Sequence, residues 1–160
     1  MIKIVKAGFE ELKAAVSLLK QSQLFHLDID GDYYNSNVDL DAVVISALNS
    51  DDSKIYLAAM ESENKEITYC GLIYIYKDNS NEYDYAHSDY LIVKDLIVDK
   101  HHNGLGIGRE LINRAAEYAL SIGCSKIKQS THYDNVESHK FYNKIGFDLK
   151  ELILTLEVKE

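Results

Sequence analysis

Residues 103–109 read Asn-Gly-Leu-Gly-Ile-Gly-Arg, directly after an apolar run over 90–98 and directly before an amphipathic stretch. That order predicts strand, glycine-rich turn, helix. Glycines let a backbone approach a ligand closely, and the free N–H groups of a first helical turn, helped by the helix dipole, point at an anion. The same turn is also built for packing alone, so by itself it states only that a phosphate cradle is possible. Two familiar phosphate motifs do not fit. The dinucleotide fingerprint wants glycines at its first, third and sixth places and an acid about twenty residues on. Here the glycines are Gly104, Gly106 and Gly108, and the residue twenty beyond Gly108 is Lys128. A P-loop wants Gly-Lys-Ser/Thr, whereas Gly108 is followed by Arg109 and Glu110. Neither NAD nor a Walker-type nucleotide site is indicated.

A chain of 160 residues, 46% of them hydrophobic, fits one domain over 1–160 with a continuous core. The N-terminus lacks an apolar signal core and no run reaches the ~20 apolar residues that span a bilayer, so a cytoplasmic protein without a membrane partner is expected. Cys70 and Cys124 lie in apolar surroundings without a Cys-x-x-Cys spacing and read as small buried hydrophobes. A net charge of -9 argues against nucleic acid as partner. Between Lys20 and Lys54 there is no Lys or Arg, while Asp28, Asp30, Asp32, Asp39, Asp41, Asp51 and Asp52 fall there beside Tyr33 and Tyr34. Such a run is either a solvated acidic surface or an electrostatic funnel for a cationic partner.

Periodicity predicts a strand over 2–6, a helix over 10–24 through Leu12, Ala15, Val16, Leu19 and Phe25, and a short helix over 38–48. Strands over 55–60 and 67–76, joined by the polar turn 61–65, form a hairpin. The run 90–98 is apolar on both faces apart from Lys94 and Asp95, as in a central strand covered on both sides. A helix follows from Leu105 and stops at Gly123, the preferred left-handed cap residue. A strand over 126–131, a helix over 136–145 and a closing strand over 147–158 complete the order, with no proline to mark a domain break. A closing strand of that length offers an edge on which two copies could form a homodimer. The class is mixed α/β: one mostly antiparallel central sheet with helices on both faces, able to admit a ligand where the central strand parts from its neighbour.

Downstream, residues 131–147 read Thr-His-Tyr-Asp-Asn-Val-Glu-Ser-His-Lys-Phe-Tyr-Asn-Lys-Ile-Gly-Phe. Together with Lys94-Asp95-Leu96-Ile97-Val98 and the glycine turn, this resembles the GNAT superfamily of acetyl-CoA-dependent N-acetyltransferases over about residues 90–147. The family's turn is Arg/Gln-x-x-Gly-x-Gly/Ala, and its amides hold the CoA pyrophosphate. The resemblance therefore implies that Asn103, Gly104, Leu105, Gly106, Ile107, Gly108 and Arg109 bind acetyl-CoA as co-substrate. Asn103 departs from the pattern, lacking the fork of arginine, which predicts weaker binding through surviving backbone donors. The family's Asn-x-x-Ala-x-x-Phe/Leu-Tyr followed by Gly-Phe matches Asn135, Phe141, Tyr142, Gly146 and Phe147, with Ser138 in place of alanine. By resemblance Asn135 and Ser138 lie on the pantetheine arm and Tyr142 faces the thioester sulfur. On residue type alone, Asn135 is equally a helix N-cap and Tyr142 a core aromatic.

The chemistry sets demands. An alkyl ammonium of pKa ~10.4 costs about 4.6 kcal/mol to deprotonate at pH 7, so a base is useful. Asp95 is the candidate base, or else a structural carboxylate paired with Lys94 or a neighbour. The CoA thiolate, of pKa roughly 8.5, is less basic than a phenolate near ~10, so Tyr142 helps by hydrogen bonding or by late proton transfer. The family uses a central-strand N–H for the carbonyl oxygen, which maps to Ile97 or Val98. His101 and His102 show no metal-ligand spacing, and no metal is expected. The resemblance implies transfer of acetyl to a primary amine by direct attack in a ternary complex. The acceptor is expected toward residues 23–37 and 83–89, where acid and tyrosine suit a polyamine, an aminoglycoside, or a protein lysine or N-terminus. The alternatives are a non-catalytic acyl-CoA sensor and a transferase of longer acyl groups.

Overall fold

The computed structural model describes residues 1–79, 90–156 and 158, and divides into a unit over Met1–Ser130 and a unit over Thr131–Glu160. In the first unit, β-branched and aromatic alternation yields strands β1 (Ile2–Lys6), β2 (Ser53–Glu61), β3 (Ile67–Lys77), β4 (Tyr90–Val98) and β5 (Lys126–Gln129). They form one sheet in chain order; β1 to β4 pair antiparallel, and β5 runs parallel to β4. The expected hairpin is β2–β3, and the expected central strand is β4, flanked on both edges.

Helix α1 (Leu12–Ile29) starts two residues later and runs five residues further than its apolar spacing predicts. Its buried stripe is Ala15, Leu18, Leu19 and Ser22, one residue per turn or so, and not the predicted Phe25, which is 47% exposed. Helix α2 (Leu40–Asn49) begins where the Asp39 carboxylate accepts the Ala42 N–H at 3.0 Å. These two helices bury Leu18, Leu19, Val44 and Ala47 against Ile55, Leu57 and Leu72 of the sheet. Each fully buried Leu or Ile there contributes roughly 1.5–3 kcal/mol of transfer free energy.

Helix α3 (Ile107–Ser121) covers the opposite face, and Gly71 of β3 is what lets it close in. A Cβ on Gly71 would stand 2.9 Å from Ile107 Cγ2 and 3.2 Å from Leu111 Cδ1, so any larger residue would push the first turn of α3 off the sheet. The helix stops as predicted at Gly123, φ +77°: the Gly123 N–H reaches the Leu120 carbonyl and the Cys124 N–H that of Ala119. Cys70 and Cys124 are both buried and unbridged.

In the second unit, α4 (Val136–Lys144) ends in the same motif, with Gly146 at φ +101° and the Phe147 N–H on the Tyr142 carbonyl at 2.9 Å. Among the described residues the strand predicted over 147–158 is not formed. Its described residues carry no ladder, and Leu152, Ile153, Leu154, Leu156 and Val158 are between 68% and 91% exposed. An alternating apolar pattern confers strand propensity, but a strand exists only when a neighbour takes its backbone bonds. Among the described residues no helix is long and apolar enough to cross a membrane.

Candidate active site

The site grows from the end of β4. Strand β5 pairs with Tyr90, Leu91, Ile92 and Val93, and beyond Val93 no strand among the described residues lies on the β5-side edge of β4. The Asp99 N–H donates to the Cys70 carbonyl at 2.9 Å, and Val98 stands opposite Gly71. Antiparallel alternation therefore turns the Ile97 N–H inward to β3 and the Val98 N–H outward to the open edge. Of the two predicted oxyanion donors, only Val98 presents its amide there. The edge begins beside Gln129, whose side-chain nitrogen is tied to the Ser130 carbonyl at 2.7 Å while its Oε1 is buried with no hydrogen-bond partner. A buried orphan acceptor is costly and suits an amide-bearing ligand.

Past Val98, the Asp99 carboxylate accepts the His101 N–H at 2.9 Å and faces His102 Nδ1 at 3.0 Å, capping a turn of 3-10 helix, Lys100–His102. Those bonds hold the Asp99 carboxyl below its ordinary range. Next, Gly104 and Gly106 both sit at φ near +80°, and a Cβ on either would meet nothing within 4 Å. They are glycines for rotation, and the space over them is open. Gly106 is the N-cap of α3 and offers no side chain, and the first helical bond is made only at Glu110. The amides of Ile107, Gly108 and Arg109 thus face outward from a positive helix end, a donor set that fits a diphosphate.

On the α1 side of the sheet, β4 carries a bulge: Tyr74 pairs with Asp95 and Ile75 with Val93, leaving Lys94 as the extra residue. The bulge flips the strand's alternation and sends Asp95 toward α1, where the Ser22 hydroxyl donates to Oδ1 at 2.7 Å. Burial pushes the Asp95 carboxyl above its ordinary range; Ser22, His26, the Leu96 N–H and Lys94 act against that rise. His26 stacks on Tyr34 with ring centroids 4.8 Å apart, and Tyr34 meets Tyr33 edge-on at 5.1 Å. Burial likewise raises the Tyr34 phenol. Among the described residues no cluster of three or more His, Cys, Asp or Glu could hold a metal.

In the second unit, Asn135 is the N-cap of α4, its Oδ1 accepting the Ser138 N–H at 3.1 Å. Tyr142 is 9% exposed and lies between Phe141 and Phe147, each 5.1 Å away by ring centroid.

Comparison with known proteins decides the family. Residues 20–147 match the Acetyltransferase (GNAT) family. The chain belongs to that family. An uncharacterized N-acetyltransferase of Methanocaldococcus jannaschii is 34% identical over 61 residues, 38% of this chain; the match spans 27% of that relative's length. Among solved structures, a tetramutant of the BH1408 protein of Bacillus halodurans superposes with a TM-score of 0.83 at 19% identity, over 98% of this chain and 99% of that one. The aminoglycoside N-acetyltransferase AAC(6')-Iy, in complex with CoA, gives 0.73 at 16% identity, over 99% and 95%. A putative acetyl transferase of Pyrococcus furiosus gives 0.70 at 22%, over 99% and 100%. At these identities the structures share the fold.

Within this GNAT chain, the sequence-predicted residues divide by unit. The first brings Asp95, Ile97, Val98 and residues 103–109 into one strand-to-helix run; the second carries Asn135, Ser138 and Tyr142 on α4 and its cap. Asp95 pairs with Ser22 and not with Lys94, which is exposed. Ser22 and Gln129 escaped the sequence analysis, and His26 entered it only as part of the acceptor stretch 23–37, in which Tyr34 was named. Of the two that escaped, only Ser22 left a trace there, as a hydroxyl on the apolar stripe of α1. The acceptor loop expected over 83–89 lies outside the described residues.

Proposed function

We propose that residues 1–160 act as one acetyltransferase domain that moves acetyl from acetyl-CoA to a primary amine by direct attack in a ternary complex. The observation that carries the reading is the run from an open β4 edge into an uncovered glycine turn with unused amides. In this reading, residues 103–109 hold the diphosphate through backbone N–H groups, without the arginine fork that Asn103 replaces. The outward Val98 N–H receives charge building on the carbonyl oxygen, and Gln129 Oε1 accepts an amide N–H of the pantetheine arm. The Asn135 side-chain oxygen is committed to its cap, which leaves its amide hydrogens for that arm.

Asp95 takes the proton of the ammonium acceptor. A carboxyl raised by burial is a better base than an ordinary one, and lies closer to the operating pH. Tyr142 donates to the departing thiolate. The acceptor is cationic, drawn by Asp28, Asp30 and Asp32 and received by the Tyr33–Tyr34–His26 ring cluster. Support for a cationic amine also comes from a neighbour in fold, AAC(6')-Iy, solved with a bisubstrate analog, CoA-S-monomethyl-acetylneamine.

The test is release of free CoA thiol from acetyl-CoA against a panel of polyamines, aminoglycosides, lysine peptides and neutral amines, with calorimetry of acetyl-CoA alone. Cationic amines are expected to be preferred at low salt. Tyr142→Phe is expected to lower kcat by about ten- to a thousandfold, and unchanged turnover would remove Tyr142 from its role. Heat of binding without thiol release from any amine would make the chain a sensor of acyl-CoA. No heat at all would end the proposal.

A further inference from the structure

Ser22 is a polar residue where α1 needs none. It continues the buried stripe of Ala15, Leu18 and Leu19 at 2% exposure, a place where alanine would pack and favour helix more. A buried hydroxyl is costly unless bonded, and this one spends its proton on Asp95 Oδ1 at 2.7 Å, across 73 residues of chain. The other half of the contact is also built: only the bulge at Lys94 turns Asp95 to this side of the sheet.

We propose that Ser22 is a positioning residue for acetyl transfer, fixing the Asp95 carboxylate toward the acceptor. The proposal rests on the reading of Asp95 as the base. The carboxylate takes the first proton of the ammonium and so frees the lone pair; as the new N–C bond forms and the C–S bond breaks, the nitrogen's second proton replaces the one that Tyr142 gives to the thiolate, and Ser22 keeps its own hydrogen throughout.

The surroundings leave the serine a task. From α1, Ser22 and His26 face the carboxylate; from the segment after α1, Tyr34 stands near with Asp30 beyond it; from β3, Tyr74 is its ladder partner; from β4 itself come Lys94 and the Leu96 N–H. Burial is the largest influence on Asp95 and raises it, and the Ser22 bond is the foremost of those opposing the rise. Without that bond the carboxyl rises further.

Ser22→Ala and Ser22→Thr are compared with the unaltered chain by the pH profile of kcat/KM and by 13C NMR titration of the Asp95 carboxyl, read without substrate. Alanine is expected to move the acidic limb, and the NMR midpoint with it, up by about half to one pH unit, with kcat/KM about three- to tenfold lower at pH values well below the midpoint and less affected above it. Threonine, which keeps the hydroxyl, restores both. A limb and midpoint left in place by alanine overturn the proposal, whatever happens to Tm. A limb that persists in Asp95→Asn removes the base, and with it the role of Ser22, while acetyl transfer itself stands. Should no amine be acetylated, the function proposed above fails on its own, and an Asp95 midpoint unmoved by alanine overturns the Ser22 contact as well.

Discussion

Asp95 and Asp99 stand on the same stretch of chain, four residues apart, and their carboxyls are driven in opposite directions. Asp95 is turned by a bulge into the packed corner between β4 and α1, where lost hydration outweighs the Ser22 bond and its carboxyl rises. Asp99 comes after the strand has ended, where a backbone N–H and an imidazole meet it with little desolvation, and its carboxyl falls. One acid is thereby suited to taking a proton, and the other to staying charged and holding a loop. The contrast teaches that residue type and spacing propose an acid, and that the neighbours decide which kind of acid it is.

The comparison breaks most readily at Asp95. Asp95→Asn keeps an acceptor for Ser22 but cannot take a proton, so kcat should fall by roughly 10²–10⁴-fold with acetyl-CoA binding by calorimetry little changed. An equal loss of cofactor affinity would make the two regions one. A smaller effect is expected at Asp99, where Asp99→Ala removes the cap that leads into the glycine turn. Acetyl-CoA should then bind about three- to tenfold more weakly, the scale of a lost cap, while the midpoint of the acidic limb stays in place.

The smallest effects, on stability, sharpen the contrast by their sign. A carboxyl raised on folding lends stability that is whole below the ordinary carboxylate range and lost as pH climbs through its folded pKa. Asp95→Asn should therefore gain Tm relative to the unaltered chain as pH rises. A carboxyl lowered on folding lends stability above that range and loses it as pH falls through its folded pKa. Asp99→Asn should melt lower at neutral pH, with the gap closing in acid. Thermal scans from pH 3 to 8 read both, and a common slope would show that the two environments do not differ.

Much of the frame was legible because it is local. The hairpin β2–β3, the glycine stop of α3 and the Asn135 cap follow from neighbours in sequence, and each formed where residue type put it. The strand-to-helix turn was legible for the same reason, since left-handed glycines announce themselves. The Asp95 corner was not. It needs a one-residue slip in the β3–β4 register and a partner on α1, and no window along the chain contains both. The outward amide of Val98 depends on ladder parity, which sequence does not carry. The strand expected over 147–158 failed for the opposite reason: its pattern is local, but the pairing that makes a strand is not.

The early end of β5 has a consequence for how such a chain can be improved. Further parallel pairing opposite residues 94–98 would knit the edge of β4 shut and gain the sheet several backbone bonds. A selection for heat resistance alone would reward that closure, and the sturdier descendant would have sewn up its own doorway.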